Sequence, residues 1–153
     1  TKSVAGSPAV IRGISILSVD TIAAVAGNGN EGADFLLLST DGGNSWQNKI
    51  LPIFDVWGVK LARSSLYVLG KDKGGFAQVI VSNDLGISWY GLNTTYPGFL
   101  TDMIIAGDTT AYFIGEGGLL LKWEMNQRGL TGLEKIDESQ SSKLTIVPNP
   151  AME

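Results

Sequence analysis

The side chains that could do chemistry here are carboxylates, hydroxyls, lysines, tyrosines and arginines, because the 153 residues include no histidine and no cysteine. The sequence therefore excludes a Ser-His-Asp triad, a histidine general base, a cysteine nucleophile and a thiolate metal site. Paired carboxylates remain, and glycosidases use such pairs as acid and base. Asp55 and Asp102 are the candidate pair, since each lies near the start of a predicted strand. The favoured alternative is that both are solvated residues at strand entries.

Aromatic side chains offer a second kind of site. Trp57, Trp89 and Tyr90 could stack on a sugar ring, although packing within or at the rim of the core is the favoured interpretation. We keep Trp57, with Asp55 and Asp102, as a possible ligand contact.

Cofactor, metal and nucleic-acid sites are not predicted. Oxygen ligands cluster in residues 28–34, but their spacing matches no calcium-binding loop. The glycine pairs lack the Lys-Ser/Thr of a phosphate-binding loop. A net charge of −4, from 11 basic and 15 acidic residues without a basic stripe, argues against nucleic acid. No apolar run is long enough to predict a transmembrane segment.

The elements that would position these side chains are short strands, and one repeated phrase marks where they turn. Residues 39–46 and 82–89 both fit Ser-x-Asp-x-Gly-x-Ser-Trp, 43 residues apart. The shared positions are Ser39, Asp41, Gly43, Ser45 and Trp46, then Ser82, Asp84, Gly86, Ser88 and Trp89. Glycine permits positive φ, and an aspartate can accept the N–H groups of its own turn, so the phrase predicts a structural turn. Leu85 stands where the first copy has Gly42, so we expect the second turn to differ in detail.

The surrounding pattern repeats as well. Predicted second strands end at Gly27, Gly70 and Gly115, which are 43 and 45 residues apart. Four short strands in such a period are typical of β-propeller blades. We predict an all-β fold with a lead-in at 1–9 and antiparallel four-stranded blades at residues 10–50, 51–97 and 98–128. Three blades do not close a ring, so we expect a larger propeller or self-association of the open fragment.

The two phrases resemble the Asp-box (BNR) repeats of sialidases, xyloglucan-active glycosidases, the sortilin ectodomain and photosystem II assembly-factor-like propellers. The stretch around the first copy, TIAAVAG to FLLLSTDGGNSW, is most similar to the last group. The resemblance implies a propeller fold and a structural role for the box. Sialidases hold their substrate with three arginines, and that triad cannot be assigned to Arg12, Arg63 and Arg128, which lie in two first-strand regions and a linker.

The end of the chain carries a second resemblance. After a polar linker at residues 129–143, residues 144–153 begin Leu-Thr-Ile-Val-Pro-Asn-Pro, which resembles the opening of the C-terminal sorting domain used by type IX secretion. The resemblance implies a protein secreted or held at the outer-membrane surface of a Gram-negative bacterium, with the secretion machinery as a partner. The alternative is a coincidental Pro-Asn-Pro turn.

These observations favour a secreted or cell-surface, noncatalytic β-propeller module that binds a protein or a glycan. The alternative is the C-terminal part of a sialidase- or xyloglucanase-like glycoside hydrolase whose catalytic residues lie upstream. A third possibility is an adhesin or motility component.

Overall fold

A computed structural model of the chain describes residues 10–27, 34–107, 109–124 and 144–146. These residues form twelve β-strands and a single 3-10 turn, and they contain no α-helix. All strand pairs are antiparallel, and the strands group into three four-stranded sheets. The predicted all-β, antiparallel class is confirmed.

Each sheet is a meander in chain order. Sheet 1 consists of β1 (Val10–Ile16), β2 (Ile22–Gly27), β3 (Phe35–Ser39) and β4 (Gln47–Ile50). Sheet 2 consists of β5 (Phe54–Ala62), β6 (Ser65–Lys71), β7 (Phe76–Ser82) and β8 (Tyr90–Pro97). Sheet 3 consists of β9 (Leu100–Ala106), β10 (Thr110–Gly115), β11 (Leu120–Glu124) and β12 (Leu144–Ile146).

The fourth strand of sheet 3 is separated from the third in the sequence, because β11 ends at Glu124 and β12 begins at Leu144. Residues 144–146 pair with β11, so that Leu121 lies opposite Ile146 and Trp123 opposite Leu144. This strand belongs to the segment in which the sequence predicts the start of a sorting domain. The lead-in, the predicted linker at 129–143 and residues 147–153 lie outside the described residues.

The antiparallel meander gives the molecule two ends. In sheets 1 and 2, the turns between first and second strands and between third and fourth strands lie at one end, which we call the turn end. Both copies of the Ser-x-Asp-x-Gly-x-Ser-Trp phrase lie there. The described links from β6 to β7 and from β10 to β11, and the connections from one sheet to the next, lie at the opposite end, which we call the link end.

Apolar residues form two layers, one on each side of sheet 2. On β6, Leu66 and Val68 belong to the layer shared with sheet 1, whereas Tyr67 and Leu69 belong to the layer shared with sheet 3. Alternate residues of a strand point to opposite faces, so a strand packed on both sides must be apolar throughout. This requirement accounts for the unbroken apolar run of β6.

The first strands of the three sheets lie side by side. The N–H of Leu61 on β5 donates to Oγ of Ser15 on β1 at 2.9 Å. A Cβ on Gly58 would lie 2.5 Å from the carbonyl oxygen of Thr101, and one on Gly13 would lie 3.3 Å from the nitrogen of Val59. Glycine therefore permits backbone contact between neighbouring first strands.

The strand registers show that Gly27 and Gly70 are not at equivalent positions, although their spacing in the sequence predicts the repeat period. Ala26 lies opposite Phe35, whereas Gly70 lies opposite Gln78, so Ala26 rather than Gly27 is the counterpart of Gly70. The link before β3 is longer by one residue than the link before β7, which the spacing of glycines does not reveal.

Candidate functional site

The first copy of the phrase is a turn built around one carboxylate. Oδ1 of Asp41 accepts hydrogen bonds from Oγ of Ser39 at 2.9 Å and from the N–H of Ser45 at 2.8 Å. Oδ2 of Asp41 accepts from Oγ of Ser45 at 2.6 Å. The N–H of Gly43 donates to Oγ of Ser39 at 2.8 Å. Both oxygens of Asp41 thus accept hydrogen bonds within its own turn.

The second copy repeats these contacts. Oδ1 of Asp84 accepts from Oγ of Ser82 at 2.7 Å and from the N–H of Ser88 at 2.9 Å, and Oδ2 accepts from Oγ of Ser88 at 2.5 Å. Hydrogen bonds from the side chain of Ser45 and its N–H lower the pKa of Asp41 to about 2. The equivalent bonds from Ser88 and Ser82 lower the pKa of Asp84 further. A carboxylate held ionised in this way is a poor proton donor at neutral pH.

The second turn differs from the first in detail, as expected: the N–H of Ile87 donates to Oδ1 of Asp84 at 3.1 Å, whereas in the first turn the N–H of Asn44 donates to the carbonyl oxygen of Asp41. Leu85 adopts φ 55°, close to the φ of 69° at Gly42, although a leucine rarely occupies the left-handed region. Its side chain packs on the layer between sheets 1 and 2, and its carbonyl oxygen accepts a hydrogen bond from Nζ of Lys49 at 2.7 Å. These contacts offset the strain and connect the turn of sheet 2 to β4.

At the link end, Asp55 is held by two cations from different strands. Its Oδ1 lies 2.7 Å from Nη1 of Arg12 on β1, and its Oδ2 lies 2.8 Å from Nζ of Lys71 on β6. Burial acts to raise the pKa of Asp55, but the hydrogen-bonded Lys71 and Arg12 outweigh it and hold the pKa below its usual value. Asp55 also has φ 45°, and strain of this kind in a non-glycine residue is often found at functional sites.

Trp57 lies between a cation and an aromatic ring. The guanidinium carbon of Arg12 lies 4.2 Å from the centroid of the Trp57 ring, and the Phe99 ring stacks on Trp57 with centroids 4.5 Å apart. The indole N–H of Trp57 is buried and has no hydrogen-bond acceptor among the described residues. Trp57 is therefore held by stacking and cation–π attraction, and these two contacts occupy the ring faces on which a sugar would stack.

A second carboxylate, Asp34, is buried beside this group. Its Oδ2 accepts the N–H of Val56 at 3.2 Å. Burial raises the pKa of Asp34, and the N–H of Val56 and the charge of Arg12 offset only part of that rise. Asp34 thus connects the start of β3 to the start of β5.

The structure does not bring Asp102 together with Asp55. Asp102 is exposed on the outer face of sheet 3, and its Oδ1 accepts the N–H of Met103 at 2.7 Å. Asp55 is bound by cations of sheets 1 and 2, whereas Asp102 lies beside Ile114 on the face of sheet 3 turned away from sheet 2, so the two carboxylates do not face a common cleft.

An open groove adjoins the Asp55 cluster at the link end of sheet 2. Its volume is about 370 Å³, and Nζ of Lys73 lies 5.1 Å from the centroid of the Phe54 ring at its wall. The lining residues are Pro52, Phe54, Asp72, Lys73, Gly74 and Gln78. Aromatic, cationic, carboxylate and amide groups line this shallow groove, which is open to solvent.

Sequence reasoning did not single out Arg12, Lys71, Phe99, Phe54 or Lys73 as a group. Arg12 lies on β1 in the place that Trp57 holds on β5, and this correspondence becomes visible only when the strand registers are known. The position of Lys71 at the end of β6 and of Phe54 at the start of β5 could have indicated that both lie at the link end, because antiparallel neighbours meet there.

These features define the class of protein as an all-β chain of repeated, face-to-face antiparallel sheets with a charged and aromatic cluster at one end. The chain matches no protein-family model and shows no significant similarity to any curated protein. In the ranges that the structure describes, no set of three or more carboxylates, histidines or cysteines is placed to hold a metal ion. Those ranges also contain no helix of the length and apolarity that a membrane crossing needs.

Proposed function

We propose that this chain is a noncatalytic binding module of β-propeller blades, which binds a glycan, or a protein carrying similar chemistry, through its link end. The observation that carries the proposal is the state of Asp55. Both of its oxygens are in ion pairs with Arg12 and Lys71, so the carboxylate that the sequence offered for acid–base chemistry is engaged in holding two strands together. The groove beside it remains open to a ligand.

We propose that the four-stranded antiparallel sheet recurs in this chain because each sheet is one blade of a β-propeller. Each sheet has its first strand next to the first strand of the neighbouring sheet, and in two of the sheets the same carboxylate-centred turn joins the third and fourth strands. Radially arranged blades place connections between strands at two rims, and binding residues are commonly carried on such loops. We assign the turn end to stability and the link end to recognition.

A glycan array with a parallel hydrolysis assay tests this function. Arrays that include sialylated and xyloglucan oligosaccharides are incubated with the chain, and released sugar is measured on the same substrates. We expect retention of at least one oligosaccharide without release of sugar. Hydrolysis of a bound oligosaccharide would instead support the glycoside hydrolase alternative.

We further propose secretion to the medium or the outer-membrane surface of a Gram-negative bacterium. The support is the Leu-Thr-Ile-Val-Pro-Asn-Pro sequence that opens residues 144–153, which resembles the start of a type IX sorting domain. The test is the location of the native protein in a host with that secretion system, with and without its C-terminal region. Retention inside the cell in both cases would contradict the proposal.

A further inference from the structure

The outer face of sheet 1, which is the face turned away from sheet 2, is apolar. It is exposed on the first and fourth strands, whereas Ala24 and Leu37 in its middle strands are buried. Ile14 and Ile16 on β1 are each 65% exposed, and Ile50 on β4 is also exposed on this side. The charged side chains of sheet 1 reach the other way, since Arg12 binds Asp55 and Lys49 binds a carbonyl oxygen of sheet 2. The described strands therefore present no charge on this face.

The corresponding face of sheet 2 is buried against sheet 1. Ile16 lies opposite Ile22, and Leu61 lies opposite Leu66, so Leu61 on β5 is the counterpart of Ile16 on β1. Val59 is the counterpart of Ile14 in the same way. Both Val59 and Leu61 belong to the apolar layer between sheets 1 and 2. The exposed Ile14 and Ile16 of sheet 1 thus occupy the positions that, in sheet 2, are buried against the neighbouring sheet.

The side chain at one equivalent position of each first strand limits how closely the next sheet can pack. Gly13 lies opposite Val25, Gly58 opposite Leu69, and Asp102 opposite Ile114, which are equivalent places in the three sheets. At Gly58 an added Cβ would lie 2.5 Å from a carbonyl oxygen of β9. Sheet 3 carries an aspartate where sheets 1 and 2 carry the required glycine.

We propose that the outer face of sheet 1 docks a further four-stranded antiparallel sheet of the same kind, whose first strand carries glycine at the place of Gly13 and Gly58. Asp102 keeps sheet 3 of another copy of this chain off that face. We infer this occupant from the interface between sheets 1 and 2 and the interface between sheets 2 and 3. In each of them, one sheet contributes a first strand that carries glycine and the other sheet contributes an apolar face. The inference rests on the proposed blade architecture.

Replacing Asp102 with glycine should turn sheet 3 into such a partner. In sedimentation velocity of the 153-residue chain, we expect Asp102→Gly to associate head to tail, with a dissociation constant at least about tenfold lower than that of the wild type. Adding Ile14→Lys and Ile16→Lys to Asp102→Gly should restore the wild-type behaviour. Asp102→Asn, which removes the charge but keeps the size, should behave as the wild type.

Three results would overturn the inference. These are an Asp102→Gly chain that does not associate more strongly than the wild type, association that survives the two lysine substitutions, and a wild type that already pairs through Ile14 and Ile16. Circular dichroism and thermal unfolding establish that each variant is folded. Sedimentation requires no ligand, so its failure leaves glycan binding without hydrolysis, and hence the proposed function, intact.

Discussion

A single aspartate organises each phrase turn. Asp41 and Asp84 accept bonds from the same three groups in each copy, although one turn has glycine and the other has Leu85 at the next position. These three shared hydrogen bonds therefore depend on the aspartate and the serines rather than on the residue that follows the aspartate. Leu85 is tolerated because its side chain gains burial between two sheets.

The two turn carboxylates should make stability depend on acid. Their pKa values are lower in the folded chain than in the unfolded chain, where an aspartate has a pKa of about 4. Their contribution is therefore complete above that pH and is lost as the pH falls, toward about 2 for Asp41. We expect thermal unfolding of the wild type to move to lower temperature across this range.

The variants Asp41→Asn and Asp84→Asn isolate this effect. Each should unfold at a lower temperature than the wild type at neutral pH and should show a smaller further decrease on acidification. Circular dichroism melts at several pH values check both points. An acid dependence unchanged in the double variant would show that other groups are responsible.

Replacing Asp55 tests the link-end cluster at the same scale. Asp55→Asn keeps a side chain that tolerates positive φ but removes the charge that holds Arg12 and Lys71. Because the Asp55 side chain is partly buried and both of its oxygens are in ion pairs, we expect a loss of about 1–3 kcal/mol in the free energy of unfolding, measured with urea.

The exposed ion pair between Lys122 and Glu124 provides the control for Asp55. Its oxygen and nitrogen lie 2.7 Å apart, yet both groups are solvated, so Glu124→Gln should leave stability unchanged within error. If both variants lose equal stability, the cluster at Asp55 has no special role.

At the scale of the elements, alternation and turn chemistry were sufficient to predict the strands and the antiparallel class. The register was not predictable from the glycines, because Ala26 rather than Gly27 holds the place of Gly70. The environment of Trp57 also could not be inferred from the sequence. Arg12, which lies on β1 of sheet 1, and Phe99, which lies just before β9 of sheet 3, cover its ring, and both are distant from Trp57 in the chain.

Close contact between first strands can be tested with two glycine substitutions. Gly58→Ala would place a methyl group 2.5 Å from the carbonyl oxygen of Thr101, so backbone must shift, and we expect a loss of about 1–3 kcal/mol. Gly13→Ala meets its nearest atom at 3.3 Å, and its effect should be smaller. Urea unfolding of both variants checks the order, and an equal or reversed effect would contradict this packing.

For the whole molecule, the two ends differ in what they leave available. At the turn end, Asp41 and Asp84 accept hydrogen bonds within their own turns, whereas the link end carries a strained aspartate, stacked aromatic rings and an open groove. The sequence located the phrase but not this division, because residues of the groove come from two connections that are separate in the chain. The assignment of recognition to the link end is the central claim.

Calorimetric titration of the best-bound oligosaccharide from the array tests that claim most directly. Phe54→Ala and Lys73→Ala remove two groups of the groove, and Ile87→Ala removes an exposed apolar group of the turn end. We predict that each groove variant weakens binding at least about tenfold and that Ile87→Ala leaves it unchanged. Unchanged affinity in both groove variants, or a loss confined to Ile87→Ala, would contradict recognition through the link end.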